Sequence, residues 1–441
     1  MLSDSDWRDR VRRALDATPV LDIHTHLFDP SFGSLVLWGL DEQLVYHYLV
    51  SEAFRQLEVP FDQFWAAPRG QQAAYIWDAL FVKHSPVSEA CRGVLTTLQA
   101  LGLDPRRQDL PALRRWFAEQ TPATFADRVM TAARVAGVGM TNSPWDPAER
   151  AVWQRGLVRD PRFFAALRID PLLLDWPASS GALQSDGFPV SPERNQATAD
   201  AIRRFLELWT RRLDARYCMV SLPPSFAWPG DSTAAWMIEN AVLPHCREHG
   251  QPFALMMGVR RAVNPALRLA GDGLGRSDLL ALENLCAAHP EHRFLVTCLS
   301  RENQHELVVL ARKFRNLHPF GCWWFTNIPR LADEITTLRL ELLGTSFTAQ
   351  HSDARVLDQL VYKWAHFRDI LTNALAARYR DLAVSGWLVS DAEIARDTDE
   401  LLGGAFRRFC ASAGSGRPDF EAAGIGGAPL GNGLDSREGG A

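Results

Sequence analysis

The stretch VLDIHTHLFDP, residues 20–30, interleaves the apolar Val20, Leu21 and Ile23 with Asp22, His24 and His26, just past a polar, charged N-terminus. In a β-strand, residues two apart project from the same face, so His24 and His26 aim both imidazoles at one point. Two imidazoles converging at a strand end are part of what holds a metal. The pair alone decides nothing: twelve histidines in 441 residues give roughly a third of one His-x-His pair by shuffling. Histidines of the core or of a loop are the competing reading, so a scaffold and a third ligand are required.

The scaffold comes from seven further runs of the same kind. Residues 133–142, 163–170, 216–222, 252–259, 293–300, 319–325 and 346–353 are apolar and rich in strand formers, with helical patterns between them. Nearly continuous apolar strands separated by helices indicate a parallel sheet covered on both faces. Eight of them predict an α/β fold, a (β/α)8 TIM-type barrel with its active site at the C-terminal strand ends; an open, helix-covered sheet is the alternative. The strand ends are where the polar residues gather: His24 and His26 on the first run, Thr141 and Asn142 on the second, Arg168 and Asp170 on the third. Trp323 and Trp324 end the seventh, and His351 and Asp353, with Arg355 just beyond, end the eighth.

Residues 1–411 are read as this one barrel, including a helical insertion, 27–130, that could form a lid or cap after the first strand. The stretch DWPASSGALQSDGFPVSPERN after the third strand reads as a loop over the rim. Residues 412–441 are glycine-rich with few large apolar side chains, the composition of a disordered tail. No repeat is visible.

With 47% hydrophobic residues and a net charge of -5, the chain can bury a large core and lacks the basic footprint of a nucleic-acid binder. No apolar run reaches the roughly 18 residues of a membrane span, and the N-terminus lacks the features of a signal peptide. Basic stretches such as RRFLELWTRRL read as solvated helix faces. Seven scattered cysteines without a Cys-x-x-Cys pair fit reduced thiols and a cytoplasmic protein.

Asp353 is the natural third ligand. The first and eighth strands of a closed barrel are neighbours, and two imidazoles with one carboxylate leave positions open for water and substrate. Asp353 also precedes the helical pattern VLDQLVYKWAHFRDIL, so capping a helix is a rival or additional role. Residues 41–57 read as one helix of the insertion, carrying the adjacent His47 and Tyr48. Arg168 could simply pair with Asp170, and the two tryptophans of CWWF, adjacent on one strand, cannot both point inward.

Taken together, DIHTH on the first strand, HYL in the insertion, CLSRENQHELVVLARKF on the sixth, GCWWFTN on the seventh and SDAR followed by HFRDILTNAL at the eighth resemble the uronate isomerase family of the amidohydrolase superfamily. The resemblance spans roughly residues 5–405. It implies a glucuronate isomerase activity in glucuronate catabolism, interconverting D-glucuronate with D-fructuronate and D-galacturonate with D-tagaturonate. It also implies one divalent metal, usually Zn2+, and a sugar acid as the small-molecule partner; a homo-oligomer stays open. By that resemblance His24, His26 and Asp353 are metal ligands, and His47, Tyr48, Asp353 and Arg355 serve catalysis. Arg168, Trp323, Trp324 and Met256 contact the substrate.

These residue types suit the chemistry. Moving a proton between C1 and C2 of an open-chain uronate needs something to hold the developing oxyanion and something to carry the proton. A planar guanidinium is the fitting anchor for a carboxylate. The chain departs from the family pattern at two places: Met256 stands where a histidine ends the fifth strand, and MVSLPPS offers Ser221 but no carboxylate on the fourth. Methionine neither transfers a proton nor bonds strongly to a hydroxyl. A metal-dependent hydrolase on the same barrel and a non-catalytic sugar-acid-binding homologue are the alternatives.

Overall fold

The computed structural model describes residues 3–106 and 109–411; the predicted tail, 412–441, lies outside them. In chain order the strands are β1 (Val20–Thr25), β2 (Val135–Asn142), β3 (Phe163–Arg168), β4 (Cys218–Leu222), β5 (Phe253–Met257), β6 (Val259–Arg260), β7 (Gly273–Leu274), β8 (Phe294–Cys298) and β9 (Leu317–Pro319). Seven form one parallel sheet in the order β1-β2-β3-β4-β5-β8-β9, while β6 and β7 pair antiparallel. Every crossover within the sheet carries helix, as parallel neighbours require.

The sheet buries both faces, which is why its strands read as continuous apolar runs. Alternation sorts their side chains into two clusters. Phe163, Leu167, Val220, Leu255 and Val296 join the core shared with the surrounding helices. Phe164, Ala166, Met219, Ala254, Met256 and Leu295 join a smaller inner cluster with Leu21, Ile23 and Phe320. The sheet is therefore curled around an apolar interior. Gly139 on β2 shows how tightly its strands pack: a Cβ there would stand 2.4 Å from the Ile23 carbonyl oxygen.

The eighth predicted strand is not a ladder strand. Segment 346–354 makes one parallel bridge, Thr348 with Phe320. Its backbone nevertheless bonds to the outermost strand on each side. Thr348 N–H donates to the Pro319 carbonyl (3.1 Å) and Gly321 N–H to the Thr348 carbonyl (2.9 Å). On the other side Asp353 N–H donates to the His24 carbonyl (3.2 Å) and His26 N–H to the Ala354 carbonyl (2.7 Å). The seventh run also differs from expectation: β9 ends at Pro319, and Trp324–Thr326 form a turn of 3-10 helix.

Other expectations are corrected in the connections. The helix predicted at 41–57 is two, Leu40–Leu44 and His47–Ala53, broken at Val45 and Tyr46. The supposed rim loop after β3 contains the helix Trp176–Ser185, capped by Asp175. The helix predicted from 356 begins at Gln359 and runs to Val384, so Asp353 does not cap it. No helix among the described residues is long and apolar enough to cross a membrane.

Candidate metal centre and active site

β1 ends as its alternation dictates, with His24 and His26 on one face and their ring centroids 5.5 Å apart. Asp353, arriving from segment 346–354, brings Oδ1 to 3.7 Å from His24 Nε2 and 3.4 Å from His26 Nε2. His24 Nε2 and Asp353 Oδ1 are buried and have no hydrogen-bond partner. Buried polar atoms left this way are costly unless something binds them. His26 Nδ1 meets the Thr141 hydroxyl at 2.9 Å, and that hydroxyl donates to the Thr25 carbonyl, so the ring is held with Nε2 toward Asp353.

The protonation states also suit a metal. Burial, then the neighbouring His26, pushes His24 down to about 3, and burial with the positive field of Arg355 holds His26 well below the ordinary histidine range. Both are therefore neutral at pH 7, and a neutral imidazole is what coordinates a cation. Two imidazoles and a carboxylate converging with open valences fit a divalent ion.

Asp353 has a left-handed backbone (φ 52°) and owes its place to Asp22. Asp22, fully buried on β1, accepts from Ser352 N–H at 3.0 Å and from Trp364 Nε1 at 2.9 Å. Burial raises its carboxyl to about 6. One side chain thus fastens the ligand segment to β1 and to the helix Gln359–Val384.

A cavity of about 40 Å³ opens beside the triad, bounded by His26, Asp353, His47, Arg168 and Arg355. Arg168 is indeed paired with Asp170, through two hydrogen bonds of 2.9 and 3.0 Å, and still faces the cavity. Trp323 and Trp324 both line it. They can because neither lies on a strand: Trp323 precedes the 3-10 turn and Trp324 has φ 47°, which reverses the chain between them. His47 Nε2 is buried without a partner, 5.2 Å separates its ring from that of Trp324, and burial keeps it neutral.

Two predicted residues stand elsewhere. Tyr48 is not among the residues lining the cavity; Tyr46 is, with the Tyr48 ring edge-on behind it at 4.9 Å. Met256 is absent from the lining too and belongs to the inner apolar cluster with Trp323 and Trp324.

Three further residues, Tyr46, Arg261 and Lys363, were not singled out from the sequence. Arg261 reaches the cavity from the β6–β7 hairpin and is anchored by Asp272 at 2.6 Å. Lys363 is 4% exposed, its Nζ lacks a hydrogen-bond partner and lies 5.5 Å above the Tyr48 ring, and burial lowers it to about 8. A lysine at that spacing on a buried helix could have been suspected, since unpaired buried lysines are rare.

Nearly the whole chain is similar to solved structures of uronate isomerases. A uronate isomerase from Bacillus halodurans C-125 is 47% identical, with a TM-score of 0.93, covering 96% of this chain and 99% of that one. A uronate isomerase from Thermotoga maritima (12% identity, TM-score 0.74, 93% and 99% covered) and a glucuronate isomerase from Caulobacter crescentus (14%, 0.70, 95% and 96%) share the fold. No family model and no curated protein matches.

Proposed function

The chain belongs to the uronate isomerase family, and from that premise we propose that it interconverts D-glucuronate with D-fructuronate and D-galacturonate with D-tagaturonate at the His24/His26/Asp353 centre. The single observation that carries the reading is the convergence of three unpaired or weakly paired ligand atoms beside a cavity rimmed by guanidinium groups. We read the curled sheet and segment 346–354 together as a closed (β/α)8 barrel spanning residues 1–411, which the backbone bonds to Pro319 and His24 support. Its helical insertion, 27–130, would cap the rim, since His47 and Tyr46 come from it. A cytoplasmic location is supported by seven free cysteines.

His24, His26 and Asp353 would hold one divalent ion, Zn2+ by donor type, which would supply Lewis-acid polarisation of the sugar's carbonyl when bound. Arg355, which lines the same cavity, would share the negative charge that develops on the enediol. Arg168, oriented by Asp170, presents its remaining N–H groups to the substrate carboxylate or a hydroxyl. His47, neutral and unpaired at Nε2, is placed to accept the proton leaving carbon. Tyr48 acts beside it, with Tyr46 between its ring and the cavity. Trp323 and Trp324 exclude water from the reacting atoms, and Met256 supports them from below in place of a polar group.

The test is turnover of both uronates by purified protein in deuterated water, with bound metal quantified. Ketose product that disappears in His26→Ala and Asp353→Asn is the expected result. Bound metal with no ketose from either sugar would refute the isomerase reading and favour a hydrolase.

A further inference from the structure

At the opposite end of the sheet, just before β8, the chain turns through His289, Pro290, Glu291 and His292. The turn is fixed by backbone: His292 N–H and Asn316 Nδ2 both donate to the His289 carbonyl at 3.0 Å. One ligand atom from each of His289, Glu291 and His292 lies within 4.8 Å of the others. Among the described residues only the His24/His26/Asp353 triad has that property as well. A fourth donor approaches from the facing segment Ile238–Val242, where Glu239 Oε2 is 3.1 Å from His289 Nε2.

The two imidazoles are seated and the carboxylates are reachable. His289 and His292 are 9% and 3% exposed, with rings 5.5 Å apart and nearly perpendicular, while Glu291 is exposed. Glu291 and His292 border an open cavity of about 590 Å³, which gives an ion a path inward. A cation is already at this point: an Arg247 guanidinium nitrogen lies 3.3 Å from His292 Nε2 and 3.6 Å from Glu291 Oε1.

We propose that His289, Glu291 and His292, with Glu239 as fourth group, form a second divalent-metal site of the zinc class, and that Arg247 occupies it in the metal-free state. Tetrahedral bonds of about 2.1 Å place ligand atoms about 3.4 Å apart, so the donors must draw in by an ångström or so. Glu291, half exposed, has the room to make that approach. Metal and Arg247 compete for the same two atoms, so removing the guanidinium must tighten metal binding. The role is to clamp the turn before β8 to the helix behind β4, independently of the catalytic centre.

The experiment strips the full chain with chelator, reloads it with Zn2+, and counts bound zinc by mass spectrometry after gel filtration. Wild type is expected to hold two ions per chain, and His289→Ala/His292→Ala one, with isomerase activity unchanged. Arg247→Ala should keep two and bind the second several-fold more tightly. Should the double variant fail to fold, Glu291→Gln provides the same reading as a tenfold or greater loss of affinity for the second ion. Saturation of wild type at one ion, an unchanged count of two in the double variant, or weaker binding in Arg247→Ala would overturn the site.

Discussion

The two pieces of chain that meet at the active centre are built in opposite ways. β1 is a strand of six residues, all buried, and although its pairing with β2 shifts register, the alternation of its side chains still turns His24 and His26 to one side. Segment 346–354 has one bridge residue, a left-handed aspartate and a few backbone bonds at its two ends, and side chains supply the rest of its hold. Asp22 grips its backbone, Gln350 Oε1 accepts from Cys322 N–H at 2.7 Å, and Ser352 Oγ accepts from Ala354 N–H at 3.1 Å. A periodic strand can deliver two ligands from sequence spacing alone. Delivering a third from a different part of the chain requires a local network, and that network is where the site is vulnerable.

The sharpest break in the comparison is to remove the ligand and leave the network. Asp353→Asn should reduce turnover by roughly a thousandfold, since several kcal/mol of charge stabilisation go with the ion, while circular dichroism stays that of the wild type. Next is the network without the ligand. Asp22→Asn keeps the shape but weakens the grip on Ser352 and Trp364, and metal affinity should fall by roughly 10 to 100-fold. Titration with Zn2+ should then restore most of the activity, an outcome that separates positioning from ligation.

A third perturbation acts on the packing behind both pieces. Gly321 has φ 62°, and a Cβ there would fall 1.8 Å from His351 Nδ1, whose ring sits 5.2 Å from that of His24. Gly321→Ala should cost roughly 1–3 kcal/mol from backbone conformation alone, and more from the clash; urea unfolding measures it. The smallest effect concerns acid. His318 is buried against Thr348 with its hydroxyl at 2.9 Å, and burial, helped by Arg339 and Arg408, lowers it from 6.5 to about 3. A depressed histidine is protonated first in the unfolded chain, so its contribution is intact above pH 6.5 and is lost as pH falls toward 3. Melting temperature should decline through that window, and His318→Gln should flatten the decline.

The same contrast explains what could be read from sequence. Two-residue periodicity put His24 and His26 on one side, and six of the eight apolar runs fall on sheet strands, while the seventh meets β9 only at Pro319. Asp353 is predicted at the end of an eighth strand whose regular ladder does not form: its proximity to β1 holds, through two backbone bonds and the grip of the buried Asp22. Trp323 and Trp324 both reach the cavity because of a turn that no periodicity announces. Arg261 follows a strand of two residues, too short for any pattern, and Tyr46 sits at a break in a helix that looked continuous.

The cavity beside the triad has a kinetic consequence. At about 40 Å³ it admits a few water molecules, whereas pockets that hold small organic ligands start near 300 Å³. A sugar acid does not fit that volume, so its entry is expected to require that the β6–β7 hairpin carrying Arg261 and Leu269 part from the helix His47–Ala53. Apparent affinity is then the intrinsic affinity scaled by the fraction of molecules that stand open. Substitutions at Leu269, which never meet the reacting carbons, would shift that fraction and so move KM while leaving the chemical step untouched.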